Sequence, residues 1–235
     1  MLKKIVLFFI KYIDENYHQK RIFNFLKEKY DSSIKIIFDI GAHEGEFLKR
    51  TKLYLNHYKK VYSFEPQRKV FKELKKLSNN KNYFIYNCAL SNKNGIKYLN
   101  INVLSSTSTF SKVENTSIYS KLKNFILKNN LSNSFISKER VKIVKGDYFS
   151  KLNKINKINL LKIDTEGHEL NVLKGFKKML KFKKIHLILI EMHLSQKYKN
   201  YYSYRIHKFL LKNKFRLIKK FKFPFLTYED RIYSL

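Results

Sequence analysis

The sequence predicts an α/β domain: an open, mostly parallel sheet with helices on both faces. Three observations predict it. Apolar runs of strand length alternate with helical patterns along most of the chain. The run Ile34–Ile40 is near-continuous in apolar residues, which implies cover on both faces of the sheet. Ile34 to Pro66 lays out strand, glycine turn, helix, strand and acid, the plan of a nucleotide-binding βαβ unit.

The elements follow in order. Residues 2–30 read as one or two amphipathic helices rich in lysine and aromatics, an N-terminal helical extension over 1–33. Its start, M-L-K-K-I-V-L-F-F-I-K, imitates a signal peptide, but the apolar run stops at Lys11 and no small-residue cleavage site follows. It is read as a first helix, suited to touching a membrane surface or a protein partner. Ile34–Ile40 is a strand, Gly45–His57 a helix, Val61–Phe64 a second strand, and about 67–77 a second helix of the unit. Tyr83–Cys88 is a third strand. Asn94-Gly95 turns the chain into an alternating strand, Ile96–Val103. Residues 104–140 look least like core. They hold S-S-T-S-T-F and a polar helix-like stretch, Tyr119–Asn130, the composition of a lid or substrate loop. Val141–Val144 and Leu160–Ile163 are strands, Glu169–Leu180 a helix, His186–Met192 a strand and Tyr201–Asn213 a helix. Phe215–Phe221 and Arg231–Leu235 form a closing antiparallel pair around Pro224. No repeat and no Pro/Gly linker divides 34–235.

Composition bounds the function. The chain has 235 residues, 44% of them hydrophobic, enough for one domain with a sizeable core. No run approaches the ~18 apolar residues of a membrane span. Cys88 is the single cysteine, so no internal disulfide and no thiolate zinc site can form, in keeping with a reducing cytoplasm. The formal charge of +32 invites an anionic partner. Lysine is spread throughout, however, alongside abundant Asn, Ile, Phe and Tyr, a composition that AT-rich codons alone produce. There is no arginine-rich tract and no recognised nucleic-acid module, so nucleic acid is not the expected partner. Eight of the 18 acids (Asp39, Glu44, Glu46, Glu65, Asp164, Glu166, Glu169, Glu191) fall at or beside the ends of four proposed strands. In an α/β sheet that edge is where ligands bind. So many acids there suit a cationic or hydroxyl-rich ligand.

The first turn reads Asp39-Ile40-Gly41-Ala42-His43-Glu44-Gly45, that is D-x-G-x-x-x-G rather than the G-x-G-x-x-G of dinucleotide enzymes. Gly41 permits a backbone angle closed to other residues, and Gly45 allows close packing at the helix start. A pyrophosphate favours a positive helix start, whereas Asp39, Glu44 and Glu46 surround this one. A ligand with an amino group and a sulfonium, S-adenosylmethionine, fits better. Glu65, at the end of the second strand, is placed to accept both ribose hydroxyls, and Pro66 stops that strand. L-L-K-I-D-T-E-G-H-E delivers Asp164 and Glu166 on one side if extended, with Glu169 at the following helix start. His168 there reads as a surface or helix-cap histidine. The neighbouring Asp, Glu and His also resemble metal ligands, but no dedicated metal-ligand spacing is present, and no metal is expected. H-L-I-L-I-E-M-H ends a strand with Glu191 and His193 on the same face. His193 is either a general base or a satisfied structural histidine.

Together, I-I-F-D-I-G-A-H-E-G, V-Y-S-F-E-P, N-C-A-L-S-N-K-N-G, L-L-K-I-D-T-E-G-H-E and I-L-I-E-M-H resemble the FkbM-type S-adenosylmethionine-dependent methyltransferases, in order and spacing, from about Ile34 to His193. The resemblance implies a class I methyltransferase (Rossmann-like) fold with a seven-stranded, mostly parallel sheet, and O-methylation of a sugar, glycan precursor or related hydroxyl. It places Asp39, Gly41, Ala42, His43 and Gly45 on the methionine side, Glu65 and Pro66 at the ribose, Asn87 to Ala89 at the adenine, and Asp164 beside the reacting end. The family often has asparagine where His43 stands and a small residue where His168 stands. The expected reaction is in-line attack of a hydroxyl on the sulfonium methyl group, with Asp164, Glu166 or His193 as the base. Two rivals stand beside it: a nicotinamide-dependent oxidoreductase on a similar fold, and a non-enzymatic basic module for nucleic acid or membrane.

Overall fold

A computed structural model describes residues 9, 12–102, 105–111, 135–194, 198–224 and 228–235. The expected helix at 119–130 lies outside the described residues, as does most of the apolar start.

A π-helical turn, Asp14–His18, runs into α1, Gln19–Tyr30. The expected βαβ unit follows as β1 (Ile36–Ile40), α2 (Glu46–Tyr54) and β2 (Lys60–Phe64). Next come α3 (Arg68–Lys75) and β3 (Tyr83–Tyr86). Three strands, β4 (Ala89–Ser91), β5 (Gly95–Asn102) and β6 (Phe135–Lys145), stand apart from the main sheet. The chain then returns through α4 (Gly146–Leu152), β7 (Ile158–Ile163), α5 (Glu169–Gly175), α6 (Lys177–Lys181) and β8 (Ile185–His193). It closes with α7 (Ser203–Lys212), β9 (Arg216–Lys222) and β10 (Tyr228–Ser234).

The main sheet has seven strands in the order β3-β2-β1-β7-β8-β10-β9. All neighbours are parallel except β10, which is antiparallel to both β8 and β9. The strand order reverses between β1 and β7, and ligands bind at that switch point, beyond the carboxyl ends of the strands. Both faces are covered, as the apolar runs require. Phe38, Ile40, Leu161 and Ile163 pack toward α4 to α7, with Phe149, Val172, Phe176 and Ile206. Ile37 and Leu160 point the other way, toward Ile22, Phe23 and Leu26 of α1 and Phe47 and Leu48 of α2. The N-terminal helix therefore contributes core to the domain. No described helix is long and apolar enough to cross a membrane.

Three expectations need correction, and one helix was not expected. The strand beginning at Ile96 joins a separate three-stranded sheet, β4-β6-β5, not the main one. Within the expected 104–140 insertion, residues 135–140 extend β6, pairing with β5 from Ile101↔Ser137 to Tyr98↔Arg140. Ile136, Ser137, Lys138 and Arg140 are exposed there, so the stretch carries no burial pattern to read. The single helix expected over 169–180 breaks into α5 and α6 around Phe176. Its Gly175 lies so close to β4 that an added Cβ would stand 2.1 Å from the Ser91 carbonyl oxygen. The short helix α4 had no clear periodic signal, since it is barely two turns long.

Candidate active site

A cavity of about 510 Å³ opens at the carboxyl ends of β1, β2, β7 and β8, within the usual size range of small-molecule sites. A second groove of about 580 Å³ beside the small sheet is lined by Arg68, Arg140, Lys142 and Tyr148 among others, but by no carboxylate and no residue of the glycine turn. The first is the site.

The glycine turn forms its floor. Gly41 has φ +79°, and a Cβ there would fall 1.8 Å from the Asp164 carbonyl oxygen, so a side chain is excluded twice over. The Gly41 and Ala42 N–H groups both donate to the Phe64 carbonyl, at 3.1 Å each, which seats the turn on the end of β2. His43 follows at φ +46°. Its backbone N–H donates to Glu65 Oε2 at 3.0 Å, and the Gln67 N–H donates to Glu65 Oε1 at 2.8 Å. Each Glu65 oxygen keeps a further lone pair for a ligand. Burial pushes the Glu65 carboxyl up to about 7, against the pull of those two N–H groups and of His43. The His43 ring lies between Glu46, at 3.3 Å, and the Ser105 hydroxyl, at 2.8 Å. Burial works against the charged forms of this pair, but their contact holds the Glu46 carboxyl down at about 2 and raises the His43 imidazole.

The opposite wall comes from β7 and β8. Asp164 lines the cavity with its side chain 37% exposed. Burial of its surroundings raises its pKa to about 6, Lys162 pulls it down, and Glu166 pushes it up. Glu166 takes φ +50°, so it is not extended beyond Asp164 as the sequence suggested. It turns toward β8, where its carboxylate accepts the Tyr198 hydroxyl and stands 3.5 Å from His193 Nε2. His193 Nε2 is also 3.4 Å from Glu191 Oε1, so one imidazole sits between two carboxylates. His193 is buried under Tyr198 and Tyr201, and the Tyr201 hydroxyl accepts its backbone N–H at 3.1 Å.

Of the residues expected at the site, Gly41, Ala42, His43, Glu65, Pro66, Ala89, Asp164, Glu166 and His193 line the cavity. Three do not. Asp39 is fully buried in the sheet and paired with Lys162 Nζ at 3.2 Å; a buried carboxylate takes the nearest cation. Gly45 begins α2 at φ +83° and packs on α3, where a Cβ would meet Leu77 at 2.5 Å and Leu74 at 2.9 Å. Asn87 supports the site from outside, donating from Nδ2 to the Glu65 and Pro66 carbonyls at 2.9 Å each. His168, read as a surface or capping residue, does precede α5 but is buried against Ser91 Oγ at 2.9 Å, and burial drives its imidazole down to about 3. Glu169 folds back, its Oε1 accepting the Thr165 and Gly167 N–H groups.

Other lining residues carried no local signal. Asp14, Glu15 and Gln19 reach the cavity from the N-terminal segment, with Arg50 from α2 and Tyr228 from β10. The serine-rich stretch closes over the top: Gln67 Nε2 donates to the Ser105 carbonyl at 3.0 Å, and the Ser108 hydroxyl donates to Gln67 Oε1 at 3.1 Å. Phe110 packs on His168, ring centroids 4.8 Å apart.

This geometry has known counterparts. Residues 39–217 match the methyltransferase FkbM domain family. The chain belongs to that family. Among solved structures, a methyltransferase FkbM from Methylobacillus flagellatus KT superposes with a TM-score of 0.54 at 13% identity. The alignment covers 86% of this chain and 44% of that one, so the chain spans under half the length of that FkbM structure. An S-adenosylmethionine-dependent methyltransferase from Leishmania major superposes with a TM-score of 0.50 at 11% identity, over 95% of this chain and 73% of that one. Both share the class I methyltransferase fold. No curated protein matches the FkbM chain in sequence.

Proposed function

We propose that this FkbM-family chain transfers a methyl group from S-adenosylmethionine to a hydroxyl of a sugar, glycan precursor or related metabolite. The observation that carries the reading is one cavity that joins the glycine turn, the buried Glu65 and the open Asp164 at the switch point of the sheet. The residues fit the cofactor. Gly41 lines the cavity with bare backbone, and Glu65 keeps free lone pairs at the end of β2 for a pair of ribose hydroxyls. Family membership favours methyl transfer over the dinucleotide and simple binding alternatives.

S-adenosylmethionine, when bound, supplies a methyl group already activated on a sulfonium, so the protein's work is placement and charge. Gly41 to His43 and Asp164 hold the methionine end, and Glu65 with Pro66 the ribose. Ala89 sits where the adenine would border the small sheet. Asp164 would accept the proton of the acceptor hydroxyl, whose oxygen takes the methyl group as the methyl–sulfur bond breaks and S-adenosylhomocysteine leaves. A carboxyl titrating at about 6 is ionised at neutral pH yet basic enough for that task. Glu166, Glu191 and His193 form the polar wall that receives the acceptor.

The test is calorimetry with S-adenosylhomocysteine and with NAD, followed by a screen of labelled methyl transfer onto glycan precursors and small hydroxylated metabolites. Binding of NAD in place of S-adenosylhomocysteine would reject the assignment. Cofactor binding with label found only on nucleic acid would reject the acceptor class.

A further inference from the structure

Lys162 lies inside β7, a strand whose other side chains from Ile158 to Ile163 are buried. A lysine in such a strand is costly unless its charge is matched. Its register partner on β1 is Asp39, and on β8 it faces the apolar Leu189. Its Nζ meets three groups: Asp39 Oδ1 at 3.2 Å, Asp164 Oδ2 at 3.5 Å, and the Gly41 carbonyl, to which it donates at 3.1 Å. These groups come from the end of β1, the end of β7 and the turn between β1 and α2. The ammonium lies over the Phe47 ring, 5.7 Å from its centroid. Burial alone would lower the lysine pKa; the charges of Asp39 and Asp164 outweigh it and push it up, so the ammonium is permanent at physiological pH.

We infer that Lys162 is a positioning residue, whose ammonium ties the glycine turn to Asp164 and so fixes the methionine end of the cofactor site. This rests on the methyltransferase reading above. The turn is already pressed against Asp164, since only the absent Gly41 side chain leaves room for the Asp164 carbonyl. Backbone bonds hold the β2 side of the turn through the Phe64 carbonyl. On the β7 side the Asp164 N–H donates to the Ile40 carbonyl at 3.0 Å, and Lys162 adds the side-chain tie that reaches the Gly41 carbonyl and both carboxylates; an ammonium with three donors suits three acceptors in different directions. The ribose end, by contrast, is held by the Glu65, Gln67 and Asn87 bonds; Lys162 makes none of them and reaches Glu65 only through its charge, the smallest of the influences on that carboxyl.

That division gives a test that general damage to the fold would not mimic. Binding of S-adenosylhomocysteine and of adenosine is measured by calorimetry on the full chain, wild type and Lys162→Met, with thermal melts to verify folding. Adenosine fills only the ribose and adenine end. Lys162→Met weakens S-adenosylhomocysteine roughly tenfold or more, the scale of a lost charge-assisted bond, and leaves adenosine within about twofold. Asp39→Asn, which keeps the shape and an acceptor oxygen but removes the charge of one of the three anchors, gives a smaller loss of the same kind and decides the matter if Lys162→Met does not fold. Equal loss of both ligands overturns the inference, and so does no loss of either. A wild-type chain that binds neither ligand fails the methyltransferase reading itself.

Discussion

Replacing Glu65 by glutamine tests the ribose end of the site through both charge and hydrogen bonding. The carboxylate is only 3% exposed and accepts two backbone N–H groups, from His43 at 3.0 Å and Gln67 at 2.8 Å. Glutamine has one acceptor oxygen, so one of those N–H groups faces an amide that cannot accept, and the ribose loses a charged acceptor. Each such bond contributes about 1.5–3 kcal/mol. Glu65→Gln should therefore weaken S-adenosylhomocysteine about 10- to 100-fold at pH 8.5. The pH dependence is the sharper signature. The native carboxyl titrates at about 7, against an ordinary value of 4.5. Ribose hydroxyls donate to the ionised form, so wild-type affinity rises with pH up to about 7 and levels off above it. The stability contribution has the opposite trend. Between 4.5 and 7 the native state holds the proton that the unfolded state has lost, so stability falls as pH rises through that window, by up to about 3 kcal/mol. Calorimetric titrations and thermal melts of both proteins from pH 4.5 to 8.5 read the two trends. The variant keeps His43 and Asp164, so the pH dependence that survives in it belongs to those two groups. If Glu65→Gln binds within twofold of wild type at pH 8.5, or if wild-type affinity is flat from pH 6 to 8.5, the reasoning is refuted.

Further outcomes are expected. Asp164→Asn loses one charged anchor of the methionine end and should weaken S-adenosylhomocysteine by up to roughly tenfold, but at saturating cofactor it should cut turnover roughly 10²- to 10⁴-fold on an identified acceptor. Wild-type turnover should rise as pH passes upward through about 6, because the base must be unprotonated, and that rise should vanish in the variant. Unchanged turnover in Asp164→Asn would move the base elsewhere, to Glu166 or His193. Gly175→Ala should cost about 1–3 kcal/mol, roughly 3–10 °C in Tm, because its Cβ meets the Ser91 backbone at 2.1 Å. A melt within 1 °C of wild type would show that β4 yields to α5.

The fold was largely legible because its signals are local. Near-continuous apolar runs marked β1, β7 and β8, and Gly41 with Gly45 marked the turn into α2. Legibility failed where a strand is paired but solvated. Residues 135–140 carry F-I-S-K-E-R, and only the pairing with β5 makes them a strand. It also failed where packing overrides a helical pattern, as at Gly175 and Phe176. At the site, the acids that end strands were visible, but their division of labour was not. Asp39 and Asp164 look alike in sequence, each ending an apolar strand beside a glycine-bearing turn. Lys162, one side-chain period before Asp164, contacts both; burial separates them, since the Asp39 side chain is enclosed and that of Asp164 is 37% exposed.

By itself the sequence determined the strands, the glycine turn and the set of carboxylates at one sheet edge. Period-two alternation and the conformational freedom of glycine are properties of adjacent residues. Only the tertiary structure decided which carboxylates meet a ligand. Lys162 takes up Asp39, backbone N–H groups take up Glu169, and Tyr198 turns Glu166 toward β8. Glu65 and Asp164 line the cavity beside the glycine turn, and Glu166 and Glu191 line its far wall. A buried charge is assigned by whatever cation or donor the fold brings within about 3 Å of it, and those partners come from distant parts of the chain.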